Sequence, residues 1–221
     1  ADLAEERRLL GLAAAQGHAD AQCLLGLMHH HGRGGPVDFA EARRLLGLAV
    51  AQGHTHAQHT LGVMHHEGQA GAVDFAEARR LFGLAAAQGH AKAQSDLGLM
   101  HRSGEGGPVD FAEARRLYGL AAAQGHAHAQ YYLGGMHRRG QGGPADFAEA
   151  RRLFGLAAAQ GDAYAQLNLG HMHYLGQGGP ADFAEARRLY GEGRIVPTSA
   201  RAALLAPVPR VQRPSPSRCT G

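Results

Sequence analysis

The chain is 221 residues long, contains 33 Gly, two Cys and no Trp, and carries a formal net charge of +3. Two cysteines exclude a disulfide-framed secreted fold and favour a reducing, cytoplasmic setting. The charge is also uneven: residues 191–221 hold five Arg against Glu192, a net of +4, while residues 1–190 hold the other 17 basic and 18 acidic residues, a net of −1. The near-neutral bulk therefore lacks the concentrated basic patch of a nucleic-acid-binding domain.

No apolar run approaches the roughly 18–20 residues needed to span a bilayer, and no secretory apolar segment opens the chain. From the start, the organisation is repetitive. Asp2, Asp38, Asp74, Asp110, Asp146 and Asp182 are each 36 residues apart. This period predicts five units (2–37, 38–73, 74–109, 110–145 and 146–181) and a partial sixth at 182–190. Asp2 is already in register with no polar capping helix before it, so the array is expected to continue upstream in a parent protein.

Each unit reads as two helices. In the unit 38–73, Asp38 is the N-cap of the first helix, and Glu41 three residues later gives a capping-box-like start. Phe39, Ala42, Leu45, Leu46 and Ala49 fall on one helical face. Gly53 ends the helix as a left-handed residue. The second helix carries Ala57, Leu61 and Met64 on one face and ends at Gly68. Glycine and proline turns such as Gly34-Gly35-Pro36 join the units. Neither helix can bury its apolar face alone, so stacking is required. The fold expected is all-α: a right-handed α/α superhelical solenoid of 36-residue helix-turn-helix repeats.

The sixth first helix is predicted to start at Phe183 and to be cut short by Gly191-Glu192-Gly193. Within 191–206, Ser199 opens a possible short capping helix. Residues 207–221, with Pro207, Pro209, Pro214 and Pro216 among Arg and Ser, read as a disordered basic tail.

The string A-A-x-A-Q-G-H-x-x-A-Q-x-x-L-G-x-M-H-x-x-G recurs in the units. In the second unit it is carried by Ala42, Ala49, Gln52, Gly53, Ala57, Gln58, Leu61, Gly62, Met64 and Gly68, with Asp38 ahead of them. It closely resembles the Sel-one-like repeat, a relative of the tetratricopeptide repeat, over residues 2–190. The resemblance implies an adaptor that brings proteins together, as in endoplasmic-reticulum quality control, signalling and bacterial–host interaction. Some relatives imply instead a hydrolase of the penicillin-binding type. The sequence departs from the family pattern at several places. Leu45 and Leu46 replace an aromatic pair, although the second position is Phe82, Tyr118, Phe154 and Tyr190 in later units. Gly47-Leu48 replaces a polar pair, and His65 replaces a Tyr. The disulfide that one bacterial branch carries in each repeat is missing, which weakens the transfer of hydrolytic roles.

Several residue patterns are candidates for chemistry. The 16 His form two ladders, His18, His54, His90 and His126 after the first helix, and His29, His65, His101, His137 and His173 in the second. Equivalent positions one repeat apart are roughly 8–10 Å apart, and zinc needs ligands at about 2 Å. No metal site is therefore assigned, although His29-His30-His31 and His65-His66 offer loose loop ligands. Asp162 replaces the first ladder's His in the fifth unit, which suggests N-capping. The Gly-rich turns lack the G-K-[ST] of a phosphate loop. Ser95, Ser103 and Cys23 occur once each with no placed base, so no catalytic residue and no cofactor are assigned.

The Arg pairs recur at Arg43-Arg44 and its equivalents. On a wheel of 100° per residue, Arg44 and Leu48 fall well off the apolar arc. One reading is a binding groove of Arg44, Arg80, Arg116 and Arg152 beside Leu48, Leu84, Leu120 and Leu156. The other is an i, i+3 pair of Arg44 with Glu41 while Leu48 packs on the next repeat. The second helices vary, and Tyr131 and Tyr132 are candidate anchors there. Gly47 and its equivalents cost about 1 kcal/mol each inside a helix; close helix approach is the first compensation expected, and exposure of backbone to a bound segment the alternative. The function expected is that of a monomeric protein- or peptide-binding scaffold. A further alternative is anionic-surface binding through the basic tail.

Overall fold

The structure, a computed structural model, describes residues 2–192, without the side chain of Glu192. The segments read above as a cap at 191–206 and a tail at 207–221 therefore lie outside the described residues from 193 on. Among the described residues there are eleven helices and no strand. They run α1 Leu3–Ala15, α2 Ala19–His31, α3 Phe39–Ala51, α4 Thr55–Glu67, α5 Phe75–Ala87, α6 Ala91–Ser103, α7 Phe111–Ala123, α8 Ala127–Arg139, α9 Phe147–Ala159, α10 Ala163–Leu175 and α11 Phe183–Glu192. The last begins where the repeat register places it, and its described part runs to Glu192, inside the Gly191-Glu192-Gly193 segment.

The predicted caps form. The Glu41 N–H donates to Asp38 Oδ1 at 3.0 Å, and the equivalent bond recurs at Asp74, Asp110, Asp146 and Asp182. The capping box is only half made. Asp38 N–H donates instead to the carbonyl of His29 in the preceding unit, at 2.9 Å, and Glu41 turns to Arg44. The second helices start as the His/Asp exchange implies. His54, His90 and His126 each accept from the N–H three residues on, as Asp162 does at 2.8 Å. His18 makes no such bond.

The core follows the helical stripes. Ala42, Leu45, Leu46 and Ala49 of α3 and Ala57, Leu61 and Met64 of α4 are buried. Each second helix packs more extensively on the first helix of the next unit than on its own partner. Glycine in the second helix makes that seam possible. A Cβ on Gly62 would come within 2.7 Å of the Phe82 ring, and one on Gly170 within 2.9 Å of Tyr190. The side chains at 46, 82, 118, 154 and 190 thus lie across a glycine of the preceding unit.

Polar side chains recur across the same seam. Gln52 Nε2 donates to buried Gln22 Oε1 at 2.8 Å, and Gln88, Gln124 and Gln160 repeat the bond to Gln58, Gln94 and Gln130. Gln22 Nε2 in turn donates to the Ala14 carbonyl at 3.2 Å. The A-Q pairs of the repeat are therefore polar links that satisfy one another inside the stack, as buried amides require.

Candidate functional site

Two surfaces carry the recurring residues. On the first helices, Arg44 lies over Glu41 in a bidentate pair, with Nε–Oε2 2.8 Å and Nη2–Oε1 2.6 Å. Arg80, Arg116 and Arg152 do the same with Glu77, Glu113 and Glu149. Hydrogen bonding to its Arg holds each of these glutamates below its ordinary pKa. The pairs are exposed, with Arg44 at 59 %, so they add little stability. They also neutralise one another, which removes most of the net charge expected of an Arg groove.

The leucines behave otherwise. Leu48, Leu84, Leu120 and Leu156 are each 40–43 % exposed, so they do not vanish into the neighbouring repeat. The glycines just before them correct another expectation. A Cβ on Gly47, Gly83, Gly119 or Gly155 would meet nothing within 4 Å. Close helix approach is not their compensation. They leave bare helix backbone beside each exposed leucine, on the same side of the array.

The first Arg of each pair, which the sequence reading left without a role, is structural. Arg43 Nη2 reaches a His65 ring nitrogen at 3.2 Å. Arg7, Arg79, Arg115 and Arg151 make the same contact with His29, His101, His137 and His173, at 2.6–2.9 Å to Nδ1. Arg43, Arg115 and Arg151 also donate through Nη1 to the carbonyls of Ala70, Pro144 and Pro180 in the inter-unit turns. Burial first, and then the adjacent Arg charge, lower the pKa of these five histidines. They act as neutral acceptors. Both series recur with a constant separation of 22 residues, which was a readable signal of the pairing.

The second-helix surface differs from unit to unit. Tyr131 and Tyr132 are half-buried. Tyr132 stacks on Tyr118 at 5.4 Å and carries Arg102 over its ring at 4.7 Å. Tyr131 packs toward Phe154 and Tyr164, at 5.9 and 6.2 Å. Tyr164, 59 % exposed, is the aromatic that stands out there. Arg102, Tyr131, Tyr132, Arg138, Arg139, Phe154, Gly135 and Asn168 line a cavity of about 130 Å³. Burial, and then the neighbouring Arg139, lower the pKa of Arg138, while the buried Arg102 Nε has no hydrogen-bond partner among the described residues. The cleft is thus cationic, aromatic and suited to an acidic group.

Nucleophiles find no support. Cys23 is buried, and desolvation, with Asp20 adding to it, raises its thiol pKa to about 11. A thiol held protonated at neutral pH is unreactive. Ser95 is buried as well. Three histidines do come together: His56 and His59, which belong to neither ladder, and His90 of the first ladder. Burial first, and then the His59 and His56 charges, push His90 down to about 4. Among the described residues no helix is long and apolar enough to cross a membrane.

A family profile described as Sel1 repeat matches residues 19–54, 55–90, 91–126, 127–162 and 163–193. Its units begin at the second helix, the phase in which the packing is most extensive. The chain is similar to the crystal structure of a protective antigen of uropathogenic Escherichia coli with an SLR fold (TM-score 0.84, 36 % identity), covering 87 % of this chain and 41 % of that one. It thus spans about two-fifths of that antigen. It is also similar to a Sel1 repeat protein from Oxalobacter formigenes (TM-score 0.78, 29 % identity), covering 85 % of this chain and 78 % of that one. An immunity protein from Pseudomonas aeruginosa, at 18 % identity and TM-score 0.51 over 86 % of this chain and 73 % of that one, shares the fold alone. No curated protein matches. Nothing in these comparisons supports a hydrolase.

Proposed function

The chain belongs to the Sel1 repeat family, and we propose that it is a protein-binding scaffold that takes an extended segment of a partner along its first helices. The observation that carries this reading is the file of Leu48, Leu84, Leu120 and Leu156, each 40–43 % exposed. Beside each leucine a glycine leaves the helix backbone open. A file of apolar side chains one repeat apart, next to uncovered backbone, suits an extended segment that runs along the stack. The Arg44, Arg80, Arg116 and Arg152 pairs rim the file. Because each is matched by a glutamate, they offer hydrogen bonds in fixed places without a strong net field, and they order rather than attract.

Selectivity in this reading comes from the second-helix cleft around Tyr131, Tyr132, Arg138 and Arg139, where an acidic residue of the partner would find aromatic faces and guanidinium groups with no carboxylate partner among the described residues. Photo-crosslinking residues placed singly at Leu84, Leu120 and Tyr164 of the full chain test the assignment in extracts of the source cells. The expected result is one shared adduct from Leu84 and Leu120. An adduct from Tyr164 with none from either leucine would move the site to the second helices and overturn the reading.

A further inference from the structure

His56 and His59 lie three residues apart on α4, which places them on one face. His90 is the N-cap of α6 in the next unit. One ligating atom from each of the three lies within 4.8 Å of the others, and the His59 and His90 ring centroids are 4.8 Å apart. The repeat does not require this cluster. Where this unit has His56, the others have Asp20, Lys92, His128 and Tyr164; where it has His59, they have Cys23, Ser95, Tyr131 and Leu167.

An independent contact gives the cluster a direction. His59 Nε2 lies 2.9 Å from Asp96 Oδ2. A carboxylate there holds the ring proton on Nε2 and leaves Nδ1 with its lone pair, the arrangement in which metal-bound histidines are oriented from behind. We propose that His56, His59 and His90 bind one Zn²⁺ between the second and third units, with Asp96 orienting His59 and the fourth position left to water. Three imidazoles with an open position are a common zinc donor set and a poor one for Mg²⁺ or Ca²⁺.

Tetrahedral zinc at about 2.0–2.1 Å sets nitrogen–nitrogen separations of about 3.4 Å. The rings therefore close in by roughly 1 Å on binding, within side-chain reach because His56 is exposed. His90 Nδ1 accepts from Ala93 N–H at 3.2 Å. Binding through Nε2 moves the ring proton to Nδ1 and gives up that cap. α2 forms behind His18 with no such bond, so the helix start tolerates the loss. Lys92 is close enough to oppose the cation and Asp96 to favour it.

The test is calorimetric titration of ZnCl₂ into the metal-free full chain without a histidine tag, together with the absorption spectrum of the Co²⁺ form. One Zn²⁺ per chain, tetrahedral Co²⁺ bands and a raised Tm are expected. His59→Ala and His90→Ser should each weaken binding by about 100-fold or more, Ser preserving a capping oxygen. Asp96→Asn should weaken it by about 10–100-fold. Wild-type binding that does not saturate below about 1 mM, or a six-coordinate Co²⁺ spectrum from the wild-type chain, overturns the proposal without recourse to any variant. So does unchanged affinity in a folded His56→Ala, His59→Ala, His90→Ser triple variant.

Discussion

Gly62 in α4 and Gly83 in α5 are both glycines in the interior of a helix, and their surroundings are opposite. At Gly62 a Cβ would press within 2.7 Å of the Phe82 ring; at Gly83 it would meet nothing within 4 Å. The first belongs to the seam between units, the second to the open face of the first helices. The same residue, repeated with the same period, therefore has two meanings. In the seam it is a seat for the next unit. On the face it is a helix-propensity cost with no packing return.

Acid should have the broadest effect, because it acts on the helix pairing within every unit at once. Eight histidines have folded-state pKa values lowered from 6.5: His29, His56, His65, His90, His101, His126, His137 and His173. The unfolded chain then binds more protons than the folded one, so stability rises with pH across this window and is complete above the unfolded value of about 6.5. It should fall progressively below that pH. The Arg-paired glutamates add their own loss only below their ordinary value of about 4.5. A Tm measured from about pH 8 down to pH 5 should drop, and a flat profile would mean that burial and the Arg contacts do not hold these histidines neutral.

Substitutions separate the two glycine classes directly. Gly62→Ala should destabilise by about 1–3 kcal/mol, because the Phe82 ring has to move. A neutral result in urea denaturation would mean that the seam is looser than its geometry. A smaller effect with the opposite sign is expected at Ala70. Its φ is +61°, where the first, third, fourth and fifth units have Gly34, Gly106, Gly142 and Gly178. Ala70→Gly should stabilise by about 1 kcal/mol through relief of left-handed strain, and a lower Tm would refute that account of the turn. The smallest effect belongs to the open face. Gly83→Ala should stabilise by about 0.5–1 kcal/mol, and any loss would show that the backbone there is not free.

The repeat made most of the fold legible. Cap, apolar stripe and breaker recur in phase, so helix starts such as Phe39 and Phe183 could be read from one chain. The contacts that cross between helices were less legible. Arg43 and His65 each fitted a surface ladder, and only their constant offset hinted that they meet. The first role given to Gly47, close helix approach, came out wrong because helical spacing says which face a residue lies on, not what stands opposite it. His56, His59 and His90 stayed hidden for a related reason. Ladder reasoning compares equivalent positions, and these three are not equivalent. At the candidate surface, the reading that paired Arg44 with Glu41 was right about the Arg, but it packed Leu48 on the next repeat, whereas the leucine stays open.

The central claim is that the leucine file of the first helices binds the partner, and one affinity comparison tests it most directly. Leu48, Leu84, Leu120 and Leu156 are replaced together by Ser in the full chain, and binding of the crosslinked partner is measured by calorimetry against the wild type. Each leucine is already partly exposed, so the fold should survive with a similar Tm. If the partner buries even part of each side chain, affinity should fall by at least about 100-fold. A folded variant that binds its partner as tightly as the wild type would contradict the account.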